Sequence, residues 1–341
     1  DTMYDRLGSD TDVAVPPDAV KAVRAILVKH CGEGEEPQWT TAERTSIDVR
    51  LLGAWRTAAK HPDHAVISWL AGNTPAGIIH HPEPCGIFPP ILDEAEMHYS
   101  ELQGNIQDFS NYAGVDENNI ATEEINLRIL QGHLKSFDTA IELERFVEAT
   151  EALPAILSKI GIITKMRAGK TKHRMILDTK AALIKFVSRK GQRVILPRLL
   201  DAILQALRLM GDCKTGEGVE WMVLDFTDAF WQMRLHPEER KFFCCRIKHE
   251  GKQKYISFLS TAQGSRGAPL TWARFAALVM TLTQSLFDRM SVRQQCFVDD
   301  PLAAIKGSET RRRIIIAVIT LVWEALGCKL AYAKGQRGTG A

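Results

Sequence analysis

The sequence predicts an α+β fold: an antiparallel sheet with helices on one face, preceded by a mainly helical N-terminal region. Two observations carry that expectation. Up to about residue 157 the apolar side chains recur mostly at helical spacing, whereas β-type runs crowd into the chain beyond Lys159. Those runs include neighbouring pairs joined by short turns, the pattern of hairpins.

In chain order, residues 1–20 are polar around "VPPD" and read as a loose lead-in. "KAVRAILVKHC" (21–31) has helical spacing, and "TAERTSIDVRLLGAWRTAA" (41–59) reads as an amphipathic helix started by Thr40 or Thr41. From His61 to Pro90 the pieces "HP", "NTP", "HPEP" and "FPP" predict loop, either linker or strap. Residues 94–112 and 121–157 return to helical period and charge spacing. "KIGIITKMR" and "KHRMILD" predict a basic hairpin around "GK". "GVEWMVLDF" (218–226) is a buried-strand pattern ending in Asp225, and "KFFCCRIK" with "KYISFL" forms a hairpin joined by "HEGK". Residues 268–289 read as a long helix through Leu270, Phe275, Leu278, Val279, Leu282 and Leu286. "QCFVDD" and "PLAAI" predict two short strands around a tight turn, followed by a helix from Glu309 to Leu326 and a closing strand near Leu330.

A chain of 341 residues, 45% hydrophobic and 25% charged, has room for two or three domains and a substantial core. No apolar run approaches the roughly 20 residues of a membrane span, and no charged-then-apolar signal opens the chain. It begins at Asp1 and stops after "KGQRGTGA", so both ends are expected to be cuts. Seven scattered cysteines with no C-x-x-C spacing argue against a disulfide framework and a zinc module, and for a reducing, intracellular setting, cytoplasmic or nuclear. "HPDH" (His61, His64) and "HHPEPC" (His80, His81, Cys85) hold metal-ligating residue types, but in Pro-rich loop sequence with no spacing to converge them. Charge is sharply divided. Residues 1–150 hold 11 Lys and Arg against 25 Asp and Glu, while residues 151–341 hold 32 against 16. A basic half of that size is the expected footprint of a polyanion-binding surface, with a merely solvated basic face as the alternative.

Asp299 and Asp300 stand side by side after an apolar stretch, where like charges are costly unless a cation joins them. Asp before Pro301 is also ordinary turn chemistry, so the pair needs a partner elsewhere. Asp225 supplies one. It too ends an apolar strand, and if the two strands are neighbours their carboxylates converge at one sheet edge. Clustered carboxylates become favourable around hard divalent cations, of which Mg²⁺ is the natural occupant and Mn²⁺ a substitute. Two such ions about 3.5–4 Å apart activate an attacking hydroxyl and neutralise a leaving pyrophosphate.

Five segments, in order, carry a family resemblance. "LDFTDAFWQM" (224–233), "AQGSRGAP" (262–269) and "FVDD" (297–300) resemble motifs A, B and C of reverse transcriptases. "KTKHRMILD" (170–178) resembles their fingers hairpin and "LGCKLAYAKGQ" (326–336) their motif D. The likeness is to the RNA-directed DNA polymerases of retrotransposons, including the gypsy type, and of retroviruses. It covers roughly residues 155–340; earlier in the chain only "GIFPP" is retroelement-like.

The resemblance implies a right-hand polymerase: residues 121–215 fingers-like, 216–341 palm with motifs A to D, and 1–120 a mainly helical region of unknown role. Thumb and RNase H are expected to be absent, as in a fragment of a polyprotein, and a lone fragment of this kind is expected to extend primers poorly. The implied activity is nucleotidyl transfer, adding deoxyribonucleotides to a primer 3′-OH on an RNA or DNA template, with two Mg²⁺ ions. Asp225 and Asp299 are implied as direct metal ligands, the Phe226 carbonyl as a further ligand and Asp300 as a peripheral third carboxylate. Phe230 takes the position of the aromatic steric gate that leaves no room for a 2′-hydroxyl, with a core Phe as the alternative, and Ala229 beside it is implied to be nucleotide-binding. Asp228 either faces the triphosphate through its backbone or is only a capping or turn residue. Gln263 and Gly264 open the segment lining the nucleotide pocket, the glycine allowing close approach of backbone to substrate. Arg174 and Lys165 are implied as phosphate clamps, with Lys170 and Lys172 as competitors for the lysine role. Lys334 matches the lysine proposed to protonate pyrophosphate, with a simple surface lysine as the alternative. Arg311, Arg312 and Arg313 read as a solvated helix start, with contact to template phosphate as the alternative.

Two other readings remain. An RNA-dependent RNA polymerase shares the acidic pair but is expected to carry Ser-Gly, not Gln-Gly, and a polar residue at position 230. A catalytically inactive, nucleic-acid-binding fragment is disfavoured by the presence of all three aspartates, Arg174 and Gln-Gly. The acidic N-terminal half is further expected to compete with nucleic acid for the basic cleft, so that deleting residues 1–120 would tighten binding.

Overall fold

A proline in the first turn and a glycine in the left-handed region just past the end bound the first long helix, Pro17–Cys31. It belongs to a computed structural model that describes residues 2–8, 15–41, 44–92, 95–116, 119–167, 170–249 and 251–339. The helices are α1 (Thr2–Asp5), α2 (Pro17–Cys31), α3 (Val49–Ala58), α4 (Ala65–Ser68), α5 (Asn119–Leu130), α6 (Ala140–Phe146), α7 (Ile184–Val187), α8 (Leu199–Gly211), α9 (Ala268–Gln284) and α10 (Glu309–Ala325). The strands are β1 (Leu134–Phe137), β2 (Lys159–Arg167), β3 (Lys170–Asp178), β4 (Gly218–Val223), β5 (Cys244–His249), β6 (Lys252–Phe258), β7 (Val292–Phe297), β8 (Asp300–Gly307) and β9 (Gln336–Gly338).

All ladders between these strands are antiparallel, as the hairpin pattern predicts. They form a four-stranded sheet in the order β7-β8-β4-β9, a three-stranded sheet β1-β6-β5 and the two-stranded ribbon β2-β3. The mixed helix and antiparallel sheet is the α+β class expected. The turn of the β2-β3 ribbon, at residues 168–169, and the side chain of Lys170 lie outside the described residues.

The larger core is built from both ends of the chain. Leu51, Leu52 and Trp55 of α3 share one buried cluster with Trp272 and Phe275 of α9, Trp323 of α10 and Met222 of β4. The N-terminal helices are therefore part of the apolar interior of the four-stranded sheet. Removing residues 1–120 would strip that interior, so the deletion expected to relieve competition for the cleft would instead expose the core. A second core packs Met175 and Leu177 of β3 against Ile256 and Phe258 of β6 and Ile78 of the Pro-rich segment.

Several expectations are corrected. The helix placed at 41–59 starts at Val49, because the Asp48 carboxylate, not Thr40 or Thr41, accepts the Leu51 N–H at 3.0 Å. In residues 94–112 only Tyr99–Glu101 is helical among the described residues, as a single 3₁₀ turn. The stretch 121–157 is interrupted by β1, whose partner β6 lies more than a hundred residues away. Arg312 is not solvated: its Nε donates to buried Glu220 (3.2 Å), which also accepts from Tyr4 Oη (2.6 Å). Arg312 and Tyr4 thus pin α10 and α1 to β4.

Candidate active site

β4 and β8 bring two aspartates together. Their register sets Val223 opposite Leu302, and main-chain bonds continue past the strand: Leu224 N–H donates to the Pro301 carbonyl (3.0 Å) and Phe226 N–H to the Asp299 carbonyl (2.8 Å). Asp225 is thereby held beside the β7-β8 turn. Its own carbonyl accepts the Ala331 N–H (2.9 Å), and Thr227 N–H donates to Lys329 (2.8 Å), which draws in the segment carrying Lys334. The Lys334 ammonium reaches both carboxylate oxygens of Asp225 at 2.6 Å.

Phe297 pairs with Asp300, so Val298 and Asp299 are the two central residues of the turn. Val298 has φ +60°, a strained conformation for a β-branched residue and the left-handed first position that a tight hairpin turn of this class needs. Its carbonyl accepts from Trp272 Nε1 at 2.7 Å, anchoring the turn to α9. Asp300 opens β8 in the extended geometry that Pro301 after it favours.

These residues line a cleft of about 130 Å³. Asp225, Asp299 and Lys334 bound it on the sheet side, Lys172 and Arg174 of β3 face them, and Ala229, Phe230 and Gln263 complete the wall. The Phe226 ring is buried against Trp272 and Trp323, so that residue offers the cleft main chain only. Burial and then the charge of Asp225 push the Asp299 carboxyl above the ordinary range, against the opposing pull of Lys334 and Arg174. Partial burial, with Lys334 and Arg174 nearby, pushes the Lys172 ammonium down. Asp225 and Asp299 thus face Lys172, Arg174 and Lys334 across a small, partly desolvated space.

Some expected residues stand elsewhere. Lys165 is exposed on β2, cross-strand from Lys172, and it is Lys172 that reaches the cleft. The two are direct partners and share a face of the ribbon, so position decides: β3 supplies Lys172, His173, Arg174 and Met175 to the cleft wall and β2, among the described residues, supplies none. Asp300 is exposed and outside the residues that line the cleft. Asp228 does line the cleft; its side chain does not cap the turn after it, and it sits at φ +55° with its carboxylate on Arg128 Nη1 at 2.8 Å. Arg128 and Glu124, from α5, also line the cleft and were not singled out in the sequence. Local sequence holds no signal for a pair separated by a hundred residues.

Gly264 is also outside the cleft, and it is needed for a contact within the protein. It has φ +106°, and a Cβ there would lie 1.9 Å from the Leu177 carbonyl oxygen. Leu177 N–H donates to Gln263 (3.0 Å) and Thr179 Oγ1 to the Gly264 carbonyl (2.7 Å), stitching this loop to β3. Gly264→Ala is expected to cost about 2–5 kcal/mol, combining left-handed strain with overpacking. Urea denaturation measures it, and an unchanged midpoint would refute the close approach.

The donor set suits a hard divalent cation: carboxylates from two adjoining segments, one kept in an unfavourable charged environment, with an ammonium already seated on the other. Comparison with known proteins adds one finding. A family model described as reverse transcriptase (RNA-dependent DNA polymerase) matches residues 163–339, just over half of the chain. Comparison with curated proteins finds no match.

Proposed function

This chain belongs to the reverse transcriptase family, and on that basis we propose that it adds deoxyribonucleotides to a primer 3′-OH on an RNA or DNA template. The observation that carries the reading is the meeting of Asp225 and Asp299 at one sheet end, across from Lys172 and Arg174. Asp225 and Asp299, with the Phe226 carbonyl, are the residues to hold Mg²⁺, which supplies charge neutralisation at the transferred phosphate and a more acidic 3′-hydroxyl. Asp300 stands by as a peripheral carboxylate that could approach when substrate binds.

The remaining roles fall to this chain's side chains. Arg174 offers a bidentate guanidinium to the triphosphate, and Lys172 a point charge. The main chain at Asp228 and Ala229 faces the same space, while the Asp228 carboxylate holds Arg128 in place. Lys334, seated on Asp225, is the side chain placed to protonate the leaving pyrophosphate. The source is an intracellular element of retrotransposon or retrovirus type.

Primer extension on an RNA template with deoxyribonucleotides tests the proposal. A preference for ribonucleotides would move the assignment to RNA-dependent RNA synthesis. Phe230, partly buried and lining the cleft, is the discriminating residue. Phe230→Ala is expected to raise the ribonucleotide to deoxyribonucleotide ratio of kcat/KM by about 10–100-fold, because the space excluding the 2′-hydroxyl opens. Unchanged discrimination would remove Phe230 from that role.

A further inference from the structure

The histidines of the Pro-rich segment, which sequence spacing gave no means of converging, acquire partners in the fold. Buried Glu239 accepts four backbone N–H groups of one loop: Ala76 (2.5 Å), Ile78 (2.9 Å), Ile79 (2.9 Å) and His80 (3.2 Å). Thr74 N–H donates to the Arg234 carbonyl and His236 N–H to the Thr74 carbonyl, both at 2.9 Å. Residues 74–80 are thus fastened alongside 234–239. That arrangement sets the His80 and His236 rings 3.8 Å apart and His80 Nε2 3.0 Å from Glu238 Oε2.

We propose that His80, His236 and Glu238 bind a transition-metal ion, Zn²⁺ by donor type, at a site separate from the catalytic cleft. Among the described residues this is the one group of three His, Cys, Asp or Glu side chains whose ligand atoms all lie within 4.8 Å of one another. Tetrahedral zinc with bonds of about 2.0–2.2 Å needs ligand atoms roughly 3.3–3.6 Å apart. The three side chains are partly exposed, so small rotations on the anchored backbone close that gap. His236 Nδ1 accepts the Glu238 N–H at 3.3 Å. That long bond can yield to ligation, with the ring proton taken by whichever nitrogen the metal leaves free. Two imidazoles and a carboxylate suit Zn²⁺, Co²⁺ or Ni²⁺ and leave a fourth position for water. Mg²⁺, which asks for oxygen ligands, is selected against here and favoured in the cleft. A bound ion would cross-link the N-terminal segment to the stretch that follows the Asp225 strand.

The test uses the full chain, free of any polyhistidine tag and stripped by chelator, titrated with Zn²⁺ or Co²⁺ alone. One equivalent is expected, with visible absorption typical of four-coordinate Co²⁺, displaced by Zn²⁺ and not by Mg²⁺. Glu238→Gln removes the anionic ligand from an exposed side chain. His236→Asn removes the imidazole while keeping an oxygen able to accept the Glu238 N–H. Each is expected to weaken Zn²⁺ binding by about 100-fold, with circular dichroism in chelator unchanged. Asp299→Asn, which disables the cleft, should bind Zn²⁺ as the unaltered chain does. Binding weaker than about 10 μM, full affinity in both ligand variants, or loss of the site in Asp299→Asn would overturn the proposal.

Discussion

Asp299→Asn is expected to lower primer extension by about 10³-fold or more while raising, not lowering, the thermal midpoint in the absence of divalent cations. Both effects come from one environment. The Asp299 carboxylate is partly buried and faces the charge of Asp225, so the ionised form is held at a cost. An amide of the same shape removes that cost and with it the anionic ligand. The unaltered chain should gain stability when millimolar Mg²⁺ is added, whereas Asp299→Asn should gain little. A shift of about 2 °C corresponds to about 1.4 kcal/mol in a protein of this size. Extension assays beside thermal melts with and without Mg²⁺ separate the two readouts. Equal extension by both proteins would remove Asp299 from catalysis, and equal Mg²⁺ stabilisation would remove it from metal binding.

The largest expected loss of stability comes from Asp63→Ala. Arg274, in the middle of α9, is 1% exposed and holds fully buried Asp63 through two bonds of 2.6 Å. Its third nitrogen donates to the Glu83 carbonyl at 2.6 Å, and its guanidinium lies over the Trp69 ring at 4.1 Å. Deleting Asp63 leaves a buried charge without its counter-ion, a cost of about 3–5 kcal/mol. In a chain of this length that lowers the thermal midpoint by about 4–7 °C. Asp63→Ala combined with Arg274→Met should recover most of the loss, since an apolar replacement needs no counter-ion. The same helix anchors the Val298 carbonyl through Trp272, so loosening it should also cost extension activity. A single variant that melts with the unaltered chain would show that the pair contributes nothing net.

The strands bearing Asp225 and Asp299, the hairpins that flank them, and α9 and α10 could be located within a few residues from apolar period and turn residues. Those signals are local: each needs only the neighbours along one strand or helix. The helix start at Val49 was missed for a related reason. Asp48, Thr40 and Thr41 all have the chemistry of a cap, and only the path of the chain decides which faces a free N–H. Lys172 over Lys165 was a question of which strand of the ribbon borders the cleft, which the basic sequence on both strands left open.

By itself, the sequence determined the class of fold, the order of the elements and the two aspartates that follow apolar strands, because periodicity, turn chemistry and charge are written residue by residue. Those strands, β4 and β7, are not neighbours, since β8 lies between them. Tertiary structure alone decided which of the flanking groups share the cleft. Arg128 meets Asp228 across a hundred residues, Gly264 leaves room for the Leu177 carbonyl, and Asp63 sits 211 positions from Arg274. It likewise gathered His80, His236 and Glu238 from segments about 160 residues apart. Such meetings depend on strand register and on which helix faces share a core, and these are settled only when the whole chain has found its packing.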